Sequence, residues 1–517
     1  MGKSRTQYAT LNIASSFAGY FINTVVGFAC RMVFVRCLTE EHLGVAGLFT
    51  SIILMLSLSE LGLGAVMTHA LYDPIARHDK QKIAGLIRYF AKIHRVIFGF
   101  IIIAGLALVP FLNVFVNERP SIDENFTLIY LLFVFSSALS YLFGHYSLFL
   151  RASQKDYVIA AVTYATTIIQ SCVQIIVLLQ TRNYIYYLII QIFCLVLQSL
   201  FIASLVRRKN RYLYKGHEIQ ELSKEEKKNL FKNIYVLSLG KLSGFVVNGT
   251  DNIIIAKLVG IASVGLLSNY ILLIGIIDAL IRSFISSISG GIGNFNALSE
   301  KKATARLFHN ISFIVFLVYG WSGVVLYLCA NDLIGLLFGD RYVMGQVICS
   351  LLVANSFMFG MIVVVGVFMD SVGVFAKGRL VVVVTSILNV LLSILFGLRW
   401  GVMGVLAATV VARFVTNWWY QPRALFKYGF EESSRKYFIN YFTFTGLIVV
   451  SVMLASIINN QFEVGSKVID ITVRSLYASV IFLTGVYVVY RKSDELRYFM
   501  EKLRYVHRQL RIRIFPY

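Results

Sequence analysis

The segment NGTDNIIIAKLVG, residues 248–260, places an acid, Asp251, at the edge of a long apolar run. Arg31, Glu60 in SELGLG, Lys241 in SLGKLSG and Arg282 sit within similar runs, and Asp278 precedes Arg282 by one helical turn. A charge inside an apolar helix is costly and faces protein or a water-filled cavity, so each of these residues is a candidate for binding, gating or ion coupling. Arg and Lys both donate to phosphate oxygens, and the bases in these runs outnumber the acids able to neutralise them. A cavity of that sign suits a phosphate or diphosphate and disfavours a cationic drug. Plainer roles compete with this reading. Lys241 can snorkel to the headgroups, Asp278 can pair locally with Arg282, and Arg413 and Arg474 can serve structural partners.

These residues need long apolar helices to hold them. The 517-residue chain is 58% hydrophobic and 14% charged, with mean hydropathy +0.73, a balance that excludes a water-soluble domain of this size. Stretches of about 20 apolar residues, enough to cross a bilayer core, predict fourteen transmembrane helices in an all-α polytopic membrane protein. With both termini in the cytoplasm, most of the 48 Lys and Arg fall on the cytoplasmic side, including the connector at 207–232 and the tail at 491–517. The net charge of +22 therefore reflects topology and anionic headgroups. No soluble module carries it, so no nucleic-acid partner is expected.

The tail reads as an amphipathic helix lying on the inner surface, with Leu496, Phe499, Met500 and Leu503 opposite Arg497, Lys502 and Arg504. Six cysteines without metal-ligand spacing read as packing residues. No metal or other cofactor is called for. No cleavable signal is expected, and the Asn-Gly-Thr acceptor pattern at 248–250 falls inside a predicted span.

The chain repeats itself. Arg36 matches Lys257, Gly44 matches Gly265, Asp79 matches Glu300 and Leu86 matches Leu307, all at a shift of 221 residues (257 − 36, 265 − 44, 300 − 79, 307 − 86). Six spans per copy is an even number, so the copies are parallel repeats. The expected organisation is an N-lobe at 1–206, the basic connector at 207–232, a C-lobe at 233–425, two added helices at 439–490 and the tail at 491–517. Asp251 falls about 25 Å along the seventh helix at 1.5 Å per residue, near the outer surface, and the repeat sets Arg31 at the same depth. An acid in one lobe and a base in the other can close the outer side of a cavity. The same register sets Glu60 near Arg282 on the inner side.

With the stretches NTVVGFACRMVFVRCLTEEHLGVAGLF, SELGLGAVMTHALYDPIARHDKQKI, RASQKDY and TDNIIIAKLVGIASVGLLSNYILL followed by GGIGN, the chain resembles the polysaccharide transporter family. These are the Wzx-type flippases of the multidrug, oligosaccharidyl-lipid and polysaccharide (MOP) superfamily, and the resemblance runs along most of the chain. It implies a MATE-like fold of two six-helix lobes plus two C-terminal helices, in the bacterial cytoplasmic membrane. It further implies translocation of undecaprenyl-diphosphate-linked oligosaccharides by alternating access, alongside polysaccharide polymerase or assembly proteins. Arg31, Lys241 and Arg282 are the expected diphosphate contacts, with Asp251 and Glu60 as gate or coupling acids; these placements come from depth and repeat register.

Two other functions compete. A multidrug or small-cation antiporter of the same superfamily would need acids to dominate the cavity. A membrane enzyme acting on lipid-linked sugars would need paired carboxylates or a basic catalyst on a substantial loop. The longest outer segment, NDLIGLLFGDRYVMG, offers only Asp332, Asp340 and Arg341, and there is no nucleotide-binding glycine loop. If the Arg31–Asp251 gate operates, Asp251→Ala and Arg31→Ala each impair export in cells and the charge swap partly restores it; two fully active single variants reject the gate.

Overall fold

A helix satisfies its own backbone hydrogen bonds, which makes it one of the two structures able to cross hydrocarbon. In the computed structural model, which describes residues 5–57, 62–213, 221–459 and 465–514, the regular structure is helical throughout. Nine described helices are long and apolar enough to span a bilayer, or ten if a pair bent by 43° counts as one span. The longest, Leu380–Phe430, covers two apolar stretches that the sequence predicts as separate spans, 380–398 and 403–420. Gly401, at φ 59, breaks the helix between them, and Asn389 Nδ2 donates to Thr409 Oγ1 across the resulting hairpin at 2.9 Å. Large apolar side chains stay exposed on the exterior, among them Val96, Leu179 and Leu476, as a lipid-facing surface requires.

The chain divides into two compact units, residues 1–265 and 266–517. The first holds α1 (Arg5–Cys37), α2 (Glu40–Leu56), α3 (Leu63–Ala76), α4 (Lys80–Leu108), α5 (Phe126–Leu142), α6 (Gly144–Ala152), α7 (Asp156–Thr181), α8 (Tyr184–Lys209) and α9 (Lys224–Leu258). Side-chain caps set several helix starts. Asp79 accepts from the Lys82 N–H at 2.9 Å, Asn125 from Leu128 at 3.1 Å and Asn183 from Ile185 at 2.9 Å. Within this unit α1 packs on α7, α4 on α5, and α9 on α2 and α3.

The contact between the start of α2 and the segment after α9 follows the repeat. A Cβ added to Gly44 would stand 2.0 Å from the Ile261 carbonyl oxygen, and one added to Gly265 would stand 2.0 Å from that of Glu40. Gly265 is the 221-residue counterpart of Gly44, and Ile261 is that of Glu40, so the contact is reciprocal in the way a two-fold relation makes it. Only glycine permits so close an approach of two backbones.

The second unit holds most of α10 (Ile261–Leu298) with α11 (Lys301–Phe338), α12 (Gln346–Ser371), α13 (Arg379–Val415), α14 (Asn417–Ala424), α15 (Arg435–Asn459), α16 (Lys467–Tyr490) and α17 (Asp494–Ile514). Here α11 is central, touching α12, α15, α16 and α17. Its Phe316 stacks on Phe444 of α15 with ring centroids 3.9 Å apart, and Phe482 of α16 closes the cluster. Arg474 of α16 pairs with Asp332 of α11, which gives this in-membrane arginine a structural partner. The start of the tail helix α17 is docked on the same core. Leu496 and Phe499 pack against it, and Glu495 meets Lys436 at 2.9 Å.

At the end of the first unit remote from the basic connector, Glu124 binds three elements together. Its Oε1 accepts from the Tyr184 N–H at 2.8 Å, its Oε2 meets His42 Nε2 at 2.9 Å, and the other ring nitrogen of His42 meets Thr39 Oγ1 at 2.8 Å. Burial acts to raise the Glu124 pKa, but the Tyr184 and His42 contacts outweigh it and hold the carboxyl below its usual range. A depressed pKa contributes stability above the ordinary glutamate value of about 4.3, and this is lost as pH falls through the lowered one. Glu124→Gln should therefore lower stability at neutral pH by about 1–3 kcal/mol, with the gap to wild type closing in strong acid, as measured by thermal unfolding in detergent across pH. In the same assay, Gly44→Val should cost about 1–3 kcal/mol by overpacking against backbone, whereas Gly275→Ala, with open space around its Cβ position, should not destabilise.

Candidate functional site

Four helices of the second unit converge on a polar cluster near the middle of α10. Asp278 Oδ1 accepts from the Tyr319 hydroxyl of α11 at 2.9 Å and from Ser356 Oγ of α12 at 3.0 Å. One turn further along α10, the Arg282 guanidinium lies 5.2 Å from the ring centroid of Phe359. Arg413 of α13, 8% exposed, stands 5.9 Å from the same ring and donates through Nη1 to the Asn355 carbonyl at 3.3 Å. Asn355 in turn donates to the Leu406 carbonyl at 3.2 Å, tying α12 to α13.

The sequence enables this arrangement through one small residue. A Cβ at Gly360 would fall 2.0 Å from the Tyr319 ring, so glycine lets that ring lie flush against α12 and bring its hydroxyl to Asp278. Phe359, next in line, turns its face to the two guanidinium groups, an arrangement that ring quadrupoles favour for cations. The local pairing of Asp278 with Arg282 that their spacing suggested is replaced: neutral hydroxyls from neighbouring helices occupy the carboxylate oxygen. Arg282 is exposed and forms no ion pair with a described residue. The result is a surface of positive sign, with one guanidinium anchored beneath and one presented.

The residues singled out by sequence fall in different places. Arg282 belongs to this cluster. Arg31 is half-buried on α1 in the first unit, where its charge is felt by Cys30, Tyr184 and Tyr187. Asp251, also half-buried, rises from α9, beside Asn252, whose Nδ2 donates to Ser51 Oγ at 3.1 Å. Lys257 of the same helix donates to the Val116 carbonyl at 3.0 Å. Lys241 lies on the helical backbone of α9, but its side chain is outside the described part, and Glu60 lies outside the described residues altogether. Sequence reasoning did not connect Tyr319, Ser356, Phe359 and Arg413. The polar pair Asn355–Ser356 in the apolar run SLLVANSFMFGM was the available signal. Among the described residues no group of three or more His, Cys, Asp or Glu is placed to hold a metal ion.

No known protein-family profile matches the chain, and no curated protein sequence matches it. Solved structures do. The lipid II flippase MurJ in its inward closed conformation superposes with TM-score 0.65 at 14% identity, covering 93% of this chain and 99% of that one. An inward-facing multidrug resistance transporter of the MATE family, from the MOP superfamily, gives TM-score 0.60 at 15% identity over 80% and 98% of the two chains. The Vibrio cholerae MATE transporter VcmN in its bent form gives 0.53 at 13% over 82% and 97%. The chain is thus a multi-pass membrane protein with the fold shared by MurJ and the MATE transporters.

Proposed function

We propose that this protein is a flippase. It moves polyprenyl-diphosphate-linked oligosaccharide units from the inner to the outer leaflet of the bacterial cytoplasmic membrane, by alternating access, for cell-surface polysaccharide synthesis. The observation that carries this reading is the positive surface at mid-helix, where Arg282 is presented over Phe359 beside the buried Arg413 while Asp278 is occupied by two hydroxyls. A diphosphate matches guanidinium donors in geometry and charge. The fold shared with a lipid II flippase supports the same substrate class.

In this reading Arg282 contacts the diphosphate, joined by Arg31 and Lys241, and the polyprenyl tail stays in lipid. Asp251 and Glu60 serve as gate or coupling acids. A cation antiporter on the same fold would need acids to dominate the site, whereas here two guanidinium groups, Arg282 and Arg413, stand beside the single carboxylate of Asp278.

The test loads the purified protein into vesicles with a fluorescent polyprenyl-diphosphate oligosaccharide and follows its accessibility across the bilayer. Wild type should equilibrate the lipid, and Arg282→Ala should slow it about tenfold or more, the loss of one charge-assisted contact. Vesicles with wild type that match empty ones, together with proton-coupled exchange of a cationic dye, would overturn the proposal in favour of the antiporter.

A further inference from the structure

Where the basic connector returns to the first unit, it meets the start of α4 and borders a half-open cavity of about 180 Å³. Arg88, Tyr89 and Lys92 of α4 line one side, and Glu221, Leu222 and Lys227 line the other. The connector is fastened there by built contacts. Lys82 of α4 pairs with Glu226, and Glu226 also closes a capping box with Ser223, accepting from the Ser223 N–H at 2.8 Å while Ser223 Oγ accepts from the Glu226 N–H at 3.1 Å. Leu213 and Leu222 are buried beneath.

The charges in the cavity do not cancel. Three cations face one acid, Glu221, and neither Arg88, Lys92 nor Lys227 forms an ion pair with a described residue. Glu226, the nearby carboxylate, is taken by Lys82. Lys227 Nζ lies 5.7 Å from the ring centroid of Tyr89, which holds the ammonium at the cavity wall.

The face of α4 that carries the cations does not end with them. Arg88, Lys92, Val96, Phe100 and Ile103 follow one another at helical spacing on one side, and the last three are 72%, 50% and 72% exposed. A positive cavity therefore opens onto an apolar stripe that runs towards the membrane centre. That pairing of a phosphate-sized positive seat with a hydrocarbon track is the complement of an amphiphile, whereas a free anion would use only the first half.

We propose that this cavity is a binding site for an anionic phospholipid. The headgroup phosphate sits among Arg88, Lys92 and Lys227, the acyl chains lie along Val96, Phe100 and Ile103, and the bound lipid clasps the connector to α4. The site lies within the first unit and does not depend on the translocation reading.

The experiment titrates the full-length protein in neutral detergent with phosphatidylglycerol, phosphatidylcholine or inorganic phosphate, and reads bound species by native mass spectrometry. Phosphatidylglycerol should be retained in preference to phosphatidylcholine. Lys92→Ala and Lys227→Ala should each weaken it about fivefold, the contribution of one cation near a lipid phosphate, while Lys302→Ala, an exposed cation of the second unit, leaves it unchanged. Lipid-free melting of each variant at the wild-type temperature confirms that folding is intact. An equal loss with Lys302→Ala would mean diffuse surface attraction and overturn the proposal. So would inorganic phosphate displacing the lipid at matched concentration, since the apolar stripe would then contribute nothing.

Discussion

Hydrocarbon offers no hydrogen bonds, so every polar group on these helices is bound by that shortage. The protein meets it locally where it can. Ser and Thr hydroxyls such as Thr166, Thr167 and Ser322 donate to the carbonyl four residues earlier. Where local satisfaction is not enough, neighbouring helices supply it. The Tyr130 hydroxyl donates to the Gly105 carbonyl at 3.0 Å, Asn389 donates to Thr409, and Arg474 takes Asp332. Against that background, the exposed guanidinium of Arg282 stands out, while its neighbour Asp278 is held by hydroxyls from two other helices.

The same satisfaction depends on how closely helices approach. Tyr319 reaches Asp278 because Gly360 leaves room for its ring, and the backbones meet at Gly44 and Gly265 because neither carries a Cβ. Small residues at crossings are a general device of membrane helices, which lack a hydrophobic drive to associate and gain instead from close van der Waals contact. Here that packing has a chemical consequence. It positions the groups that set the sign of the polar cluster, and it makes the repeat visible as a reciprocal contact.

The polar ends of the helices use stronger interactions, since water competes there. Glu124 gathers an N–H and an imidazole at one end of the first unit, and the Lys82–Glu226 pair with its capping box does comparable work at the other. The core of the second unit is aromatic instead, with Phe316 stacked on Phe444 and α11 enclosed by four neighbours. The two helices beyond the repeat thus bury their faces on α11.

Much of the fold was legible in the chain because apolar length and helical periodicity are local properties. The helical class, the amphipathic tail and the register linking Gly44 to Gly265 all follow from residues a few turns apart or from the match between the copies. Partner choice was not local. Four-residue spacing pointed Asp278 at Arg282, but the fold brought Tyr319 and Ser356 to it; Arg474 had no visible partner until α16 lay against α11. Sequence by itself determined which stretches are apolar and long enough to enter a membrane and that some of their residues are charged. Only the tertiary structure decided which charges are satisfied and which are presented, because in hydrocarbon that depends on the donors that crossing helices bring within about 3 Å.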